Sequence, residues 1–289
     1  MELDSGSRNA AAAGDPTPEL DTGAPQSARI YDYWLGGKNN FAADRAVAEA
    51  LATQIPTIRT MVRSQRTFLA RTVEYLVGNA GIRQFLDIGT GLPSANNIHE
   101  VAQRLAPDSR VLYADNDPIV LAHGHALMRS TPQGRTAFIL ADLREPSTIL
   151  TDPTLHDTLD LDRPVALFLV GILMHLHDSD DPHGIVATLL DALPSGSYLA
   201  LTHPTADFNP EAMAGMAATA EQSGIPYVPR SRTATEAFLT GLEIVEPGLV
   251  PIPAWNPLSR GNESVTPPGT PTSPDPYAVY GWAGVARKP

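Results

Sequence analysis

Residues 83–93 read RQFLDIGTGLP, and this stretch decides the fold. Residues 83–88 form a short, mostly apolar run of strand length, and Asp87 stands near its end, just before Gly89 and Gly91. A helical segment follows from Ser94, which is a plausible N-cap. A glycine-rich turn between a strand and a helix is typical of the ligand-binding edge of a doubly wound sheet. The stretch therefore predicts an α/β protein whose site begins where this strand ends.

Strand-like and helix-like segments alternate along the chain after this stretch. Four further apolar runs of strand length lie over residues 110–114, 136–140, 164–170 and 197–202. Regular alternation predicts a parallel sheet covered by helices on both faces. Two late strands, over 242–245 and 278–285, have no helix between them, which favours an antiparallel edge. The predicted fold is a Rossmann-like, doubly wound sheet of seven strands, mostly parallel with one antiparallel edge strand.

The sequence divides into a tail, a cap and one α/β domain. Residues 1–26 are rich in Ala, Gly, Pro, Asp and Ser, which predicts a disordered tail. Residues 27–80 hold an aromatic-rich segment and two helical stretches, which predict an N-terminal helical cap. The α/β domain takes up residues 81–289. Within it, residues 256–276 are dense in Pro, Ser, Thr and Gly, which predicts a flexible loop.

Composition argues against several classes of protein. A net charge of −12 over 289 residues repels phosphate backbones, so we expect no general nucleic-acid binding. The chain has no cysteine, which excludes disulfides, thiolate metal sites and a cysteine nucleophile. No apolar run approaches the roughly 20 residues of a membrane span, and no signal peptide is recognisable. We therefore expect a cytoplasmic protein without a membrane contact, of undefined oligomeric state.

Three consecutive predicted strands end on an acidic residue at the same edge of the sheet. These acids are Asp87, Asp115 and Asp142. A carboxylate after the second strand can accept hydrogen bonds from both hydroxyls of a ribose. One after the third strand can accept a hydrogen bond from an exocyclic amine such as that of adenine. Clustered carboxylates suit a ligand with hydroxyls and a positive centre, and they repel a pyrophosphate.

A nicotinamide-dependent oxidoreductase is the alternative that the glycine loop raises. Its G-x-G-x-x-G motif needs a third glycine, and Ser94 occupies that position here. Asp87 also places negative charge ahead of the loop, where a phosphate would lie. Both features disfavour this alternative.

The ordered motifs resemble those of the seven-stranded S-adenosylmethionine-dependent methyltransferases. DIGTGLP resembles their first motif, YADNDP their ribose acid and LADLRE their adenine-side acid, and GILMHLHD and LPSGSYLALTH resemble the segments around their strands 4 and 5. The opening SARIYDYWLGGKNNFAAD is similar, more particularly, to a bacterial methyltransferase-like family first catalogued as a domain of unknown function. This resemblance implies a fold and a cofactor more than it implies a reaction.

The resemblance also implies which residues bind S-adenosylmethionine. Asp87, Gly89 and Gly91 would lie beside its methionine and ribose part, and Asp115 would hold the ribose hydroxyls. The other implied contacts are Asn116, Asp142 and Leu143 at the adenine, and Gly171 at the sulfonium side.

No catalytic residue is identified with the same clarity, because methyl transfer needs alignment more than it needs a base. The candidates on the acceptor side are His175, Tyr31 and Tyr33. No metal site is expected, since His175 and His177 are only two residues apart and no recognised metal-binding spacing occurs.

We expect a methyltransferase acting on a small-molecule acceptor. The alternative is a non-catalytic protein that binds S-adenosylmethionine or S-adenosylhomocysteine on the same fold.

Residues 27–41 allow two interpretations. Their aromatic side chains either pack the cap or form a lid over the cofactor, and the Gly36–Gly37 pair predicts a hinge or a ligand loop.

Overall fold

A central mixed sheet runs through the computed structural model, which describes residues 22–257 and 276–289. Its strands are β1 (Gln84–Ile88), β2 (Arg110–Asp115), β3 (Arg135–Leu140), β4 (Ala166–Val170), β5 (Tyr198–Pro204), β6 (Glu243–Ile244), β7 (Val250–Pro251) and β8 (Gly281–Arg287). They are arranged in the order β3-β2-β1-β4-β5-β8-β6, and β7 pairs with β8 outside this row. The order reverses between β1 and β4, and in such sheets ligands bind beyond the strand ends at this point.

The predicted fold class is confirmed. Strands β1 to β5 are parallel, and β8 runs antiparallel to β5, with Tyr198 opposite Arg287. Within residues 22–257 and 276–289 the sheet has eight strands instead of the predicted seven, because the two-residue β7 also pairs with β8. The last strand begins at Gly281, later than the predicted 278, because Pro276–Val279 form a 3-10 turn.

Ten α-helices accompany the sheet in the described ranges. They are α1 (Ser27–Leu35), α2 (Ala42–Gln54), α3 (Ile58–Gly78), α4 (Ile98–Leu105), α5 (Pro118–Leu127), α6 (Pro146–Thr151), α7 (Pro153–Thr158), α8 (Pro182–Asp191), α9 (Pro210–Gln222) and α10 (Arg232–Glu236). Helix α4 begins later than the predicted Ser94 because Asn97 and Glu100 form a capping box, in which Asn97 N donates to Glu100 Oε2 at 2.9 Å.

Each face of the sheet has its own hydrophobic core. Phe85 and Phe168 belong to the cluster on the side of α3, whereas their neighbours Leu86 and Leu167 belong to the cluster on the other side. This alternation follows from the two-residue period of a strand. The helices of the predicted cap share the first cluster with the sheet, as Trp34 illustrates.

The predicted tail 1–26 and the predicted loop 256–276 fall largely outside the described residues. The end of the tail that is described makes defined contacts with the cap. Arg29 Nη2 donates to Ala24 O at 3.2 Å, and Gln26 N donates to Asp44 Oδ1 at 2.9 Å.

Trp255 should be a large contributor to stability, because its ring is fully buried and contacts Phe68 edge-on at 5.1 Å between centroids. Trp255→Ala should lower the free energy of unfolding by about 3–5 kcal/mol through cavity formation. The matched control is Leu127→Ala at an exposed position, which should change it by less than about 0.5 kcal/mol. Urea denaturation measures both, and equal effects of the two substitutions would contradict the core described above.

Candidate functional site

A cavity lies at the carboxyl ends of the central strands, with helix α1 forming part of its wall. All eight residues predicted to bind the cofactor line it, namely Asp87, Gly89, Gly91, Asp115, Asn116, Asp142, Leu143 and Gly171. The fold thus brings together residues that lie up to 84 positions apart in the sequence. Their individual roles toward a cofactor stay predictions.

Asp115 ends β2, and backbone donors fix its carboxylate. Gly91 N donates to Asp115 Oδ2 at 2.9 Å, and Asp117 N donates to Oδ1 at 3.0 Å. Burial raises the pKa of Asp115 to about 6, although these backbone hydrogen bonds favour the charged form. The first bond ties the glycine loop after β1 to the acid of the neighbouring strand.

Asp87 lies within β1 and is only 5% exposed. Burial raises the pKa of Asp87 to about 7, and the nearby Asp115 carboxylate adds to this rise. A hydrogen bond from Thr90 and the positive charge of Arg66 oppose it. Two carboxylates with elevated pKa values therefore lie side by side in the wall of one cavity. Such perturbed groups are characteristic of functional sites.

Gly89 is required by the backbone at the start of the glycine loop. Its φ of +75° is in the left-handed region, and a Cβ atom there would lie 2.6 Å from the Ile172 side chain. The glycine at this position lets the loop run directly against the segment after β4, where Gly171 also lines the cavity.

Asp142, the third strand-end acid, is already paired. Arg144 donates to it through Nε at 3.0 Å and Nη2 at 2.9 Å, and Asn116 Nδ2 donates at 3.0 Å. Partial burial raises the pKa of Asp142, but these hydrogen bonds outweigh it, so that its pKa lies below the ordinary value. The adenine-side prediction thus involves a carboxylate whose charge is balanced by Arg144, a partner that the sequence analysis leaves out.

Arg66 also lines the cavity, although the sequence did not predict it there. It comes from α3 and donates through Nη2 to the carbonyls of Ala95 and Asn96, both at 3.0 Å. Its Nε is buried without a hydrogen-bond partner in the part of the chain that the structure describes. No motif marks this residue, because its place in the cavity depends on how α3 packs against the sheet.

The two tyrosine candidates lie in different surroundings. Tyr31 lines the cavity, but its hydroxyl donates to Val62 O at 3.1 Å, and burial raises its pKa to about 12. Tyr33 does not line the cavity, and its hydroxyl donates to Glu49 Oε1 at 2.6 Å on an exposed surface. Residues two apart on a helix point in different directions, so only one of this pair can face the site. Tyr33 is therefore not brought to the cavity.

His175 lines the cavity as a neutral imidazole. Its Nδ1 lies 2.7 Å from Pro226 O, and since a carbonyl only accepts, Nδ1 carries the proton and Nε2 carries the lone pair. Burial lowers the pKa of His175, and nearby Arg144 lowers it further, against the hydrogen bond to Pro226. In residues 22–257 and 276–289, no three metal-ligating side chains converge on one point.

The Gly36–Gly37 pair ends helix α1. Gly36 has a φ of +87° and caps the helix, and Gly37 N donates to Asp32 O at 2.9 Å. The Asp32 carboxylate then accepts from Asn39 N at 2.9 Å and from Asn40 Nδ2 at 2.8 Å. The turn after the pair is folded onto Asp32 and does not line the cavity. This arrangement argues against the hinge or ligand loop predicted there.

Fold and site together define the class of S-adenosylmethionine-dependent methyltransferases. The chain belongs to the S-adenosyl methyltransferase family, whose model matches residues 13–289, and its cofactor is S-adenosylmethionine. Membership of this family supports the prediction that the protein is a methyltransferase, and it does not favour the alternative of a non-catalytic binding protein. Among curated proteins, none matches the sequence.

Solved structures agree with this assignment. A DUF574 family protein from Streptomyces avermitilis MA-4680 is 45% identical, with 93% of this chain and 99% of that chain covered and a TM-score of 0.86. A protein from Thermobifida fusca YX is 39% identical, with coverage of 94% and 98% and a TM-score of 0.82. The plantazolicin methyltransferase BpumL, 14% identical with coverage of 91% and 95% and a TM-score of 0.51, shares the fold. The predicted resemblance is confirmed.

Within the described ranges, no helix is both long enough and apolar enough to cross a membrane.

Asp87 should destabilise the unliganded protein at neutral pH. Its pKa is raised from 3.8 to about 7 in the folded protein. The ionised carboxyl therefore lowers the free energy of unfolding by nothing below pH 4, by a growing amount between pH 4 and pH 7, and by the full amount above pH 7. Asp87→Asn should therefore raise the free energy of unfolding by about 1–3 kcal/mol at pH 8, and by much less at pH 4. Urea denaturation at both pH values measures the difference.

The control for this comparison is Asp108→Asn, since Asp108 is exposed and lies outside the cavity. Asp108→Asn removes only an exposed ion pair with Arg83, at 3.7 Å, so it should change the free energy of unfolding by less than about 1 kcal/mol at both pH values. A loss of stability in Asp87→Asn at pH 8 would contradict the account of Asp87 as a costly buried charge.

Proposed function

We propose that this protein transfers the methyl group of S-adenosylmethionine to a small-molecule acceptor inside the cavity at the strand ends. The observation that carries the proposal is the Asp115 carboxylate, which is fixed by two backbone donors in the cavity wall. The lining residues come from helices and strand ends all around the cavity, so an acceptor would have to enter it. The cytoplasmic location stays a prediction.

The lining residues fit the cofactor in their chemistry. Asp115 would accept hydrogen bonds from the ribose hydroxyls, and Asn116, Asp142 and Leu143 would flank the adenine. The glycine loop leaves its backbone open to close approach at Gly91, where a Cβ would meet no atom of the described residues within 4 Å.

The methionine part of the cofactor is a zwitterion, and the cavity offers a charged group for each of its ends. Asp87 would face the ammonium, and Arg66, whose Nε has no hydrogen-bond partner among the described residues, would face the carboxylate. A bound positive charge would also compensate the cost of ionising Asp87, whose pKa is raised in the unliganded protein.

The cofactor supplies a methyl group on a positively charged sulfur. The task of the protein is to hold the acceptor in line with it and to keep water out. His175 would take the acceptor's proton at Nε2, because the hydrogen bond from Nδ1 to Pro226 O fixes the tautomer and the lowered pKa keeps the ring neutral. Tyr31 is a poor base, since its hydroxyl donates to Val62 and its pKa is about 12.

Asp115→Asn should weaken the binding of S-adenosylhomocysteine by about 1.5–3 kcal/mol, roughly 10- to 150-fold, because the ribose hydroxyls lose a charged acceptor. Isothermal titration calorimetry measures this loss. Asp108→Asn, which removes an exposed carboxylate outside the cavity, should bind as the wild type does. Equal affinities of wild type and Asp115→Asn would remove Asp115 from the ribose role.

His175→Ala should reduce methyl transfer about 10²- to 10⁴-fold while leaving S-adenosylhomocysteine affinity within about twofold, because the lost group acts on the acceptor. The measurement follows radiolabelled methyl from the cofactor into small molecules of a cell extract. His123→Ala, on α5 and outside the cavity, is the matched control. No transfer by the wild type despite cofactor binding would favour the non-catalytic alternative, and full transfer by His175→Ala would exclude His175 as the base.

A further inference from the structure

The cavity continues past the cofactor-binding strand ends toward the segment that follows β5. In the sheet, β5 lies three strands from β2, which carries Asp115, a separation of roughly 14 Å at about 4.8 Å per strand. Met216 and Ala220 of α9, together with Ile225 and Tyr227 beyond it, line the same cavity. The wall therefore extends well beyond the predicted ribose and adenine contacts.

The wall at this end is apolar. Trp34, Leu51, Met216 and Ile225 are all buried, and they come from α1, α2, α9 and the segment after α9. The charged lining residues are Arg66, Asp87, Asp115, Asp117, Asp142 and Arg144. None of them belongs to α1, α2, α9 or residues 225–227. A charged ligand group at this end would lose its hydration without gaining a partner, which costs several kcal/mol, on the order of a buried unpaired charge.

Tyr227 is the polar exception, and its backbone is held on both sides. Its own N–H donates to Glu221 Oε1 at 3.1 Å, Pro226 O accepts from His175 Nδ1, and Val228 N donates to Met174 O at 2.8 Å. Pro226, the residue just before Tyr227, thus positions the His175 imidazole that is proposed to take the acceptor's proton.

The hydroxyl of Tyr227 is buried and has no hydrogen-bond partner among the residues that the structure describes. The side chain is only 6% exposed, and burial raises its pKa, so the phenol stays a hydrogen-bond donor. Buried hydroxyls in proteins are nearly always paired, and leaving one unpaired costs about 1–3 kcal/mol. A ligand in the cavity is the natural partner for such a group.

We propose that the part of the cavity lined by Trp34, Leu51, Met216, Ile225 and Tyr227 is the acceptor pocket, and that it takes a neutral, largely apolar or aromatic molecule bearing a hydroxyl group. The Tyr227 hydroxyl donates a hydrogen bond to this molecule. The inference rests on the proposed methyl transfer and names its substrate class.

The reaction in this pocket is O-methylation. The acceptor oxygen forms a bond to the methyl carbon while the carbon–sulfur bond breaks, and the electron pair of that bond stays on the sulfur. The hydroxyl proton passes to Nε2 of His175. The products are a methyl ether, S-adenosylhomocysteine and a protonated imidazole, which returns its proton to solvent.

The test uses the intact protein and two probes of similar shape, 2-naphthol and 2-naphthalenesulfonate, at pH 7. Calorimetry first establishes S-adenosylhomocysteine binding to the wild type, to Tyr227→Phe and to the control Tyr33→Phe, in which the tyrosine lies outside the cavity. Each probe is then titrated into the protein saturated with S-adenosylhomocysteine. We expect 2-naphthol to bind the wild type at least tenfold more tightly than the sulfonate.

Tyr227→Phe should weaken 2-naphthol binding about five- to tenfold, as expected for one lost hydrogen bond, and should leave S-adenosylhomocysteine affinity unchanged. Tyr33→Phe should bind S-adenosylhomocysteine and 2-naphthol with the affinities of the wild type. Absence of 2-naphthol binding, or equal binding of the sulfonate, would overturn the neutral acceptor pocket. Unchanged 2-naphthol affinity in Tyr227→Phe would overturn the role of Tyr227. Failure of S-adenosylhomocysteine itself to bind would instead overturn the proposed function, and the pocket with it.

Discussion

Two neighbouring carboxylates, one buried and one partly buried, are the constraint on which the rest of the site depends. Asp87 and Asp115 lie at the ends of the adjacent parallel strands β1 and β2, and burial raises the pKa of both. Taking charges out of water is expensive unless hydrogen bonds and opposite charges compensate. The N–H groups of Gly91 and Asp117 provide part of this compensation. On the proposed function, a ligand with hydroxyls and a positive centre would supply the remainder.

The helices before the sheet are joined to this edge by a buried cation. Arg29 of α1 is 2% exposed, and its Nε lies 3.7 Å from Asp44 Oδ1 on α2 and 3.8 Å from Asp117 Oδ2 after β2. Its guanidinium also lies over the Phe41 ring at 5.3 Å. Because Asp117 follows the predicted ribose acid by two residues, the cap and the cofactor edge are linked directly. The cap is thus built into the site, and the Gly36–Gly37 turn is part of that packing.

The sequence predicts well what is local and periodic. Strand ends, glycine loop and strand-end acids follow from short runs of residues. Parallel pairing, which sets Asp87 opposite Tyr113, then brings Asp87 and Asp115 to the same edge of the sheet. The places of Arg66 and Tyr227 in the cavity wall depend on how helices and loops dock, and no spacing encodes this. The pairing of Asp142 with Arg144, two residues further on, is local by contrast and belongs to the turn after β3. Tyr33 is the opposite case, a plausible site residue that the fold keeps out of the site. Its position on α1 directs its hydroxyl to Glu49 and not into the cavity. Strand β7 is missed because two residues carry no periodic signal.

Our central proposal is that the cofactor lies along the strand ends with its ribose on Asp115. A crystal structure of the protein with S-adenosylhomocysteine tests this most directly. We predict density for the ribose hydroxyls within hydrogen-bond distance of the Asp115 carboxylate, with the adenine beside Asn116 and Leu143 and the sulfur toward Gly171. Density for the ligand elsewhere on the protein, with the Asp115 carboxylate free of it, would contradict the account.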